Sequence, residues 1–411
     1  MQKKVATSDL RVGMFVHDLG LSWWQHDFVL PRFPIDTQET LDRILRTKAR
    51  FIMIDTSKGA DVDGAVSVQR TQLAASIDDC RGPTGFGDLD TTLQLARTQV
   101  SMDEELRVAR KLVREARTAV QSAMKEARTG KISGLPQIHG LAENMVESAS
   151  RNAGALLSLV GLKEKDDYTF MHCVAVGTFM IALGKQLGMS DDELVDAGTA
   201  GLLHDVGKCL VPLDVLNKPG RLTAVEFDLI REHPSRGYRM LRDAGYQDSV
   251  ALEVVLHHHE RLDGKGYPDQ LKGDEVTRLA RMGAVVDVYD AMGSDRCYRK
   301  ADPPTSVLKL LLSECGSHFD PVIVHSFIKA VGIYPNGSLV RLHSGRLAVV
   351  MEQHPEQALM PKVRVFYSTK SKMPVPTLDL DLSVERGDPI VGYEDPYEWG
   401  FDLTKVSGIT F

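Results

Sequence analysis

Residues 197–208 read AGTAGLLHDVGK, an apolar helical stretch that closes on His204-Asp205, with Gly207 as a helix stop and Lys208 beside it. An ionised Asp at the end of a buried helix is costly unless it meets a cation or several hydrogen-bond donors. A metal ion would neutralise it. Outward from this point, apolar residues recur at helical spacing, with segments near 137–161, 168–188, 191–206, 223–244, 248–259, 277–292 and 304–315. The fold class expected is mainly α, a helical bundle over 137–335 able to build a metal site from several helices.

Histidine placement sharpens that expectation. Six of the thirteen histidines, His172, His204, His233, His257, His258 and His259, fall between 172 and 259. Imidazole nitrogen and carboxylate oxygen together suit iron, manganese, zinc or nickel. A lone histidine on an apolar helix is usually a hydrogen-bonded core residue, and an isolated His-Asp pair says little. The joint pattern says more. His172 sits inside one helix, His204-Asp205 ends another, His233 precedes Pro234, His258-His259 ends a fourth and Asp287 lies on a fifth. Several helices each offering one or two ligands to one centre is how bundles hold metals.

Around the bundle the pattern changes. Residues 1–92 read as a small α+β domain and linker, with β-like runs at Leu10 to Leu19 and Phe51 to Asp55, helical spacing over Asp36 to Arg50, and a Gly-, Asp-, Ser- and Thr-rich stretch from Ser57. Residues 93–136 read as a long connecting helix. Its apolar positions Leu106, Ala109, Val113, Ala116, Val120, Ala123 and Ala127 alternate spacings of three and four. Such a seam serves a dimerising coiled coil or a helix packed on its neighbour, and the small alanines favour packing. Residues 336–411 read as a short β-rich appendage, with runs at Ser338 to Leu342, Leu347 to Met351 and Val363 to Tyr367.

Composition bounds the rest. The chain has 411 residues, enough for two to four domains, and a formal net charge of −7, which argues against duplex nucleic acid as a partner. Five scattered cysteines, with no Cys-x-x-Cys, support neither a disulfide framework nor a structural zinc site. The first residues lack a signal-peptide pattern, and the longest apolar stretch, Val174 to Gly184, is too short for membrane insertion. A cytoplasmic setting is expected.

Residues 204–208 (HDVGK) and 258–268 (HHERLDGKGYP), flanked by 218–220 (KPG), 232–237 (EHPSRG) and 287–299 (DVYDAMGSDRCYR), resemble the two signatures of the HD-GYP family within the HD phosphohydrolase superfamily. The opening segment is similar to an uncharacterised domain that commonly precedes it. The resemblance covers about 150–335 and implies a metal-dependent phosphodiesterase that hydrolyses the bacterial messenger cyclic di-GMP to linear pGpG, to GMP, or to both. It implies His172, His204, Asp205, His233, His258, His259 and Asp287 as metal ligands, Asp205 bridging. Two divalent transition metals are expected, iron or manganese first and nickel possible. Some family members bind a third through a Glu four residues before the first His, where this chain has Tyr168. The implied chemistry is in-line attack on phosphorus by a hydroxide the two metals share.

By the same resemblance Lys208, Arg296 and Arg299 would contact phosphate; the two arginines could also be plain surface charges. Asp263 would assist proton transfer, or only fix its loop. His257 lies outside the motif and would pack or support the site. Gly266, Tyr267 and Pro268 mark a tight loop that forms the active-site rim or, in the family reading, docks diguanylate cyclase (GGDEF) domains. Two rivals stay open: hydrolysis of a hybrid cyclic dinucleotide or another nucleotide, and a weakly catalytic receptor or scaffold.

Overall fold

The computed structural model describes residues 2–18, 33–35, 37–45, 49, 51–60, 66–67, 100–128, 134–161, 168–218, 220–294, 300–354, 357–385 and 387–408. They fall into two compact units, 1–88 and 89–411.

In the first unit, β1 (Gln2–Ala6), β2 (Phe15–Asp18), β3 (Phe33–Pro34), β4 (Phe51–Asp55) and β5 (Val66–Ser67) form an antiparallel sheet in the order β3-β2-β4-β1-β5, with helix α1 (Gln38–Leu45). Ile52 and Ile54 alternate inward from β4 and join Val5, Val16, Leu41 and Ile44 in the core. The expected run from Leu10 narrows to β2 because Gly13, at φ 97°, turns the chain ahead of it. Most of the expected linker after Ser57 lies outside the described residues.

The second unit holds α2 (Met102–Ala127), α3 (Leu135–Gly161), α4 (Tyr168–Gln186), α5 (Asp191–Leu203), a 3₁₀ turn (Val206–Leu210), α6 (Leu213–Leu216), α7 (Ala224–Arg231), α8 (His233–Asp243), α9 (Ser249–His257), α10 (Arg278–Gly293), α11 (Pro304–Ser313) and α12 (Pro321–Val331). Helix starts are capped by short polar side chains: Ser190 and Thr223 form capping boxes with Glu193 and Glu226, and Asp248 and Asp320 each accept two backbone N–H groups. The single helix expected over 223–244 is two, α7 and α8, parted at Glu232. Pro234 has no N–H for the carbonyl of Ile230, so the ladder breaks there.

Helix α2 packs along α3 and is part of this unit rather than a free connector. All seven residues of its seam, Leu106 to Ala127, are buried within the chain, so the face a coiled-coil dimer would use is already covered. Glu105, 1% exposed, fixes the pairing. Arg151 donates two bonds to it, of 2.8 and 2.9 Å, and Ser148 a third of 2.7 Å. Burial works against charge on Glu105, but the Arg151 and Ser148 bonds outweigh it and lower its pKa. The Arg151→Ala change strands this carboxylate and is expected to cost about 3 kcal/mol in urea unfolding at neutral pH. That difference should shrink as pH falls through the acid range, where the lowered pKa means the pair's contribution is lost.

Helix α3 bends at Asn152, whose backbone leaves the helical region (φ −159°, ψ 99°). The Asn152 side chain staples the bend, accepting from Gly154 N (3.0 Å) and donating to Val100 O (3.2 Å). The C-terminal residues form an antiparallel sheet of β6 (Leu339–Leu342), β7 (Arg346–Glu352), β8 (Lys362–Ser368), β9 (Met373–Asp381) and β10 (Ile390–Tyr393), ordered β10-β6-β7-β8-β9, followed by α13 (Pro396–Trp399) and α14 (Leu403–Ser407). Leu347 and Val349 face a cluster with Leu403, while Ala348 and Val350 face one with Val363 and Leu380. With both faces covered, β7 reads as an unbroken apolar run. Among the described residues no helix is long and apolar enough to cross a membrane.

Candidate metal centre

Four histidines reach one point from four elements, and the backbone orients each of them. A helix ends with carbonyls that lack intrahelical partners. At the end of α5 the Nδ1 of His204 donates to Gly201 O (2.7 Å), and at the end of α9 the Nδ1 of His258 donates to Val254 O (3.0 Å) and Val255 O (3.2 Å). His233 uses the carbonyl that Pro234 cannot bond, with Nδ1 2.7 Å from Ile230 O, which also accepts the Glu232 N–H. His172, in the middle of α4, has no such carbonyl; its Nδ1 donates to Asp290 Oδ2 of α10 (2.7 Å). Each of these partners accepts only, so the ring hydrogen is on Nδ1 and the lone pair of Nε2 points inward.

Those inward nitrogens crowd together. The Nε2 atoms of His172 and His204 are 3.3 Å apart, as are those of His233 and His258. With the Nδ1 hydrogens already spent, His233 and His258, held neutral by burial, bring two lone pairs face to face, an arrangement that a cation between them would stabilise, while the His172–His204 contact takes a proton on His204 Nε2 where a metal would otherwise sit. Asp205 lies in the middle: Oδ2 is 3.4 Å from the Nε2 of both His172 and His204, and Oδ1 is 3.2 Å from His233 Nε2 and 3.9 Å from His258 Nε2. Oδ1 is buried and accepts no hydrogen bond. Asp287 sits 3.0 Å from His172 Nε2 and 3.8 Å from His259 Nδ1. Ligand atoms gather as His172, His204 and Asp287, as His233, His258 and His259, and as His204, Asp205 and His258. The donor set, the facing lone pairs and the orphaned Oδ1 fit divalent metal.

The charge balance says the same. Burial opposes charge on His204, yet the Asp205 and Asp287 carboxylates override it and raise its pKa to about 10. Burial pushes His258 down to about 3, aided by His204 and His233. A single proton on His204 thus does part of what a metal cation would do for the two carboxylates.

All seven expected ligands meet here. Lys208 stands at the edge, its Nζ 2.6 Å from Asp205 Oδ2. Gly207 is no helix stop: it lies in the 3₁₀ turn, where a Cβ would come 2.0 Å from His233 O and 2.7 Å from Gly237 N. The close approach of two backbones demands glycine. Asp263 makes no contact with the ligands; its carboxylate receives Arg261 (3.1 Å twice) and the Lys265 N–H (3.1 Å), which fits fixing the loop and places it outside the catalytic cluster. His257 turns away to bridge Glu253 (2.7 Å) and Asp269 (2.9 Å). Gly266 is buried against the backbone of Glu260 and Arg261, while Tyr267 and Pro268 are half-buried. Tyr267 stacks on His259, centroids 4.7 Å apart, so the loop's aromatic ring faces the site. Arg296 and Arg299 lie outside the described residues.

Two residues escaped the sequence reading. Glu260, 1% exposed, accepts the N–H groups of Asp269, Gln270 and Leu271 and so shapes the whole loop. Asp290 holds His172. Asp290→Asn is expected to weaken metal binding about tenfold to a hundredfold, read by metal titration of the chelated protein; unchanged affinity would deny Asp290 this role.

Comparison with known proteins follows the same lines. Residues 143–323 match an HD domain, and residues 2–132 match a domain of unknown function, DUF3391, which runs through α2. The chain is 43% identical over 403 residues, 98% of its length and 94% of the relative's, to the cyclic di-GMP phosphodiesterase PA4108 of Pseudomonas aeruginosa. The chain belongs to the HD-GYP family. A stretch of 187 residues (45% of this chain, 33% of the relative) is also 32% identical to a Vibrio cholerae protein named 3′3′-cGAMP-specific phosphodiesterase 2. Among solved structures it is similar to Bd1817, a HDG"Y"P protein from Bdellovibrio bacteriovorus, with a TM-score of 0.47 and 18% identity over 80% of this chain and 98% of that one. HD-GYP proteins are metal-dependent phosphohydrolases, which accords with the ligand set.

Proposed function

We propose that this protein hydrolyses cyclic di-GMP to linear pGpG, to GMP, or to both, at a centre of two divalent metals, iron or manganese first and nickel next. The observation that carries the reading is Asp205, whose two oxygens address two separate histidine groups. His172, His204 and Asp287 would hold one metal, His233, His258 and His259 the other, with Asp205 shared. Bound metals of this kind supply Lewis acidity toward phosphate and lower the pKa of water. The chain's own part is to orient. Helix-end carbonyls and Asp290 fix the rings, Lys208 adds a cation beside Asp205, and burial keeps the surroundings dry so that charge acts strongly on a phosphodiester.

The family relatives support this substrate, since the one aligned over nearly the full chain carries the name cyclic di-GMP phosphodiesterase. The test is anaerobic incubation of full-length protein with cyclic di-GMP and Mn²⁺ or Fe²⁺ beside an EDTA-treated control, products separated by chromatography. Metal-dependent release of pGpG or GMP is expected; none from fully metallated protein would overturn the reading. A second reading, hydrolysis of 3′3′-cGAMP, is favoured by the Vibrio cholerae relative, and kcat/KM for the two dinucleotides separates them. Docking of diguanylate cyclase domains on the Tyr267 loop belongs to the same proposal: the exposed side chains of Lys265 and Gln270 would meet a partner, since Tyr267 faces His259 and Asp269 holds His257. Loss of a cyclase partner in Lys265→Glu, with hydrolysis intact, would support it.

A further inference from the structure

His259 is unlike the other histidines of the centre. Among the described residues its ring nitrogens make no hydrogen bond; Asp287 Oδ2 lies 3.8 Å from Nδ1. His172, His204, His233 and His258 each have an Nδ1 anchor, and His259 has a surface instead. The Tyr267 ring lies on it at 4.7 Å with an interplanar angle of 28°, and the Tyr267 N–H bonds to the carbonyl of His259 (3.2 Å). On Tyr267 in turn lies Arg231, its guanidinium carbon 4.8 Å from the ring centroid. Arg231 comes from the last turn of α7, a helix with no buried residue, and its side chain is 38% exposed. The Tyr267 ring thus touches both groups, and the contacts run from a partly exposed arginine to a metal ligand.

We infer that Arg231 is a positioning residue for the metal centre, acting through Tyr267: it presses the ring onto His259 and so supplies the orientation that hydrogen bonds supply to the other four histidines. A guanidinium over a phenol ring is held by the ring quadrupole, and its planar shape suits stacking. The effect falls on the group that His259 shares with His233 and His258, and leaves the His172, His204 and Asp287 group alone. The inference rests on the metal-centre reading and is independent of the substrate. It also carries a sign. A cation acting directly on the metals would repel them, so removing it would tighten binding; a clamp, when removed, loosens it.

The test is a titration of metal-free full-length protein with Co²⁺ under nitrogen, followed by absorption. Wild type is expected to fill two sites in resolvable steps. Tyr267→Phe keeps the ring and should match it. Arg231→Ala is expected to weaken one step by about threefold to tenfold and leave the other unchanged, with Arg231→Lys recovering part of the loss. An Arg231→Ala isotherm that is unchanged or tightened, or one in which both steps weaken equally, would overturn the inference. No cyclic dinucleotide enters this experiment, so failure to hydrolyse cyclic di-GMP leaves its result standing. A wild type that binds no Co²⁺ removes both the metal-centre reading and the clamp.

Discussion

Asp205→Asn is expected to lower kcat about a thousandfold or more, the several kcal/mol of charge stabilisation that a metal centre contributes. The amide keeps the shape of the carboxylate, and what it removes is the charge that both histidine groups share. Metal content should fall with activity, measured by elemental analysis after dialysis. Stability should move the other way in chelated protein. There, wild type buries an anion whose Oδ1 has no donor, and Lys208 is its close cation. The neutral side chain escapes that cost, so chelated Asp205→Asn should melt no lower than chelated wild type, while added Mn²⁺ should raise the melting temperature of wild type alone. Full metal content in the variant, with full activity, would remove Asp205 from the centre.

Gly207→Ala has the second large effect expected, and it comes from sterics. The added methyl would sit 2.0 Å from the carbonyl oxygen of His233 and 2.7 Å from the amide of Gly237, both of them backbone of α8. Neither can turn aside as a side chain would, so the turn and the helix must part. Since His233 is the first residue of α8, the metal ligand moves with it. A loss of about 3 kcal/mol or more in denaturant unfolding is expected, with weakened metal binding. Gly140→Ala is the control. It lies in α3 with only a side-chain oxygen at 4.0 Å, and should gain up to about 1 kcal/mol from helix propensity. Equal stability in the Gly207 and Gly140 variants would refute the close approach.

Much of this architecture is legible in the sequence. The bundle helices show themselves by periodicity and by Ser, Thr and Asp caps, and strands β6 to β8 by short apolar runs between turns. His204, Asp205, His258 and His259 stand where a helix end meets a motif. Other features were hidden for definite reasons. His172 itself was legible, but its anchor Asp290 lies 118 positions away, a pairing only tertiary structure makes. Glu260 looks in sequence like a surface charge next to a motif, yet its whole role is to receive three backbone amides. The break before His233 was written in Pro234, but the apolar spacing on either side ran across it.

The bend in α3 bears on how the protein can be taken apart. The side chain of Asn336, just ahead of β6, donates to Ser158 Oγ (2.9 Å) and Gly154 O (3.4 Å) beyond the bend, and accepts from Gln353, just past β7 (3.0 Å). On the near side Asn152 reaches Val100, the residue from which the chain enters α2. A minimal catalytic fragment cut at the family-model boundaries, 143 and 323, would therefore sever three strands of one knot at once. It would also discard Phe327, which packs on Tyr289 of the helix bearing Asp287 and Asp290. The smallest piece expected to keep the centre in shape extends from about residue 100 into the C-terminal sheet, since the region that reads as an appendage is tied to α3 by these bonds.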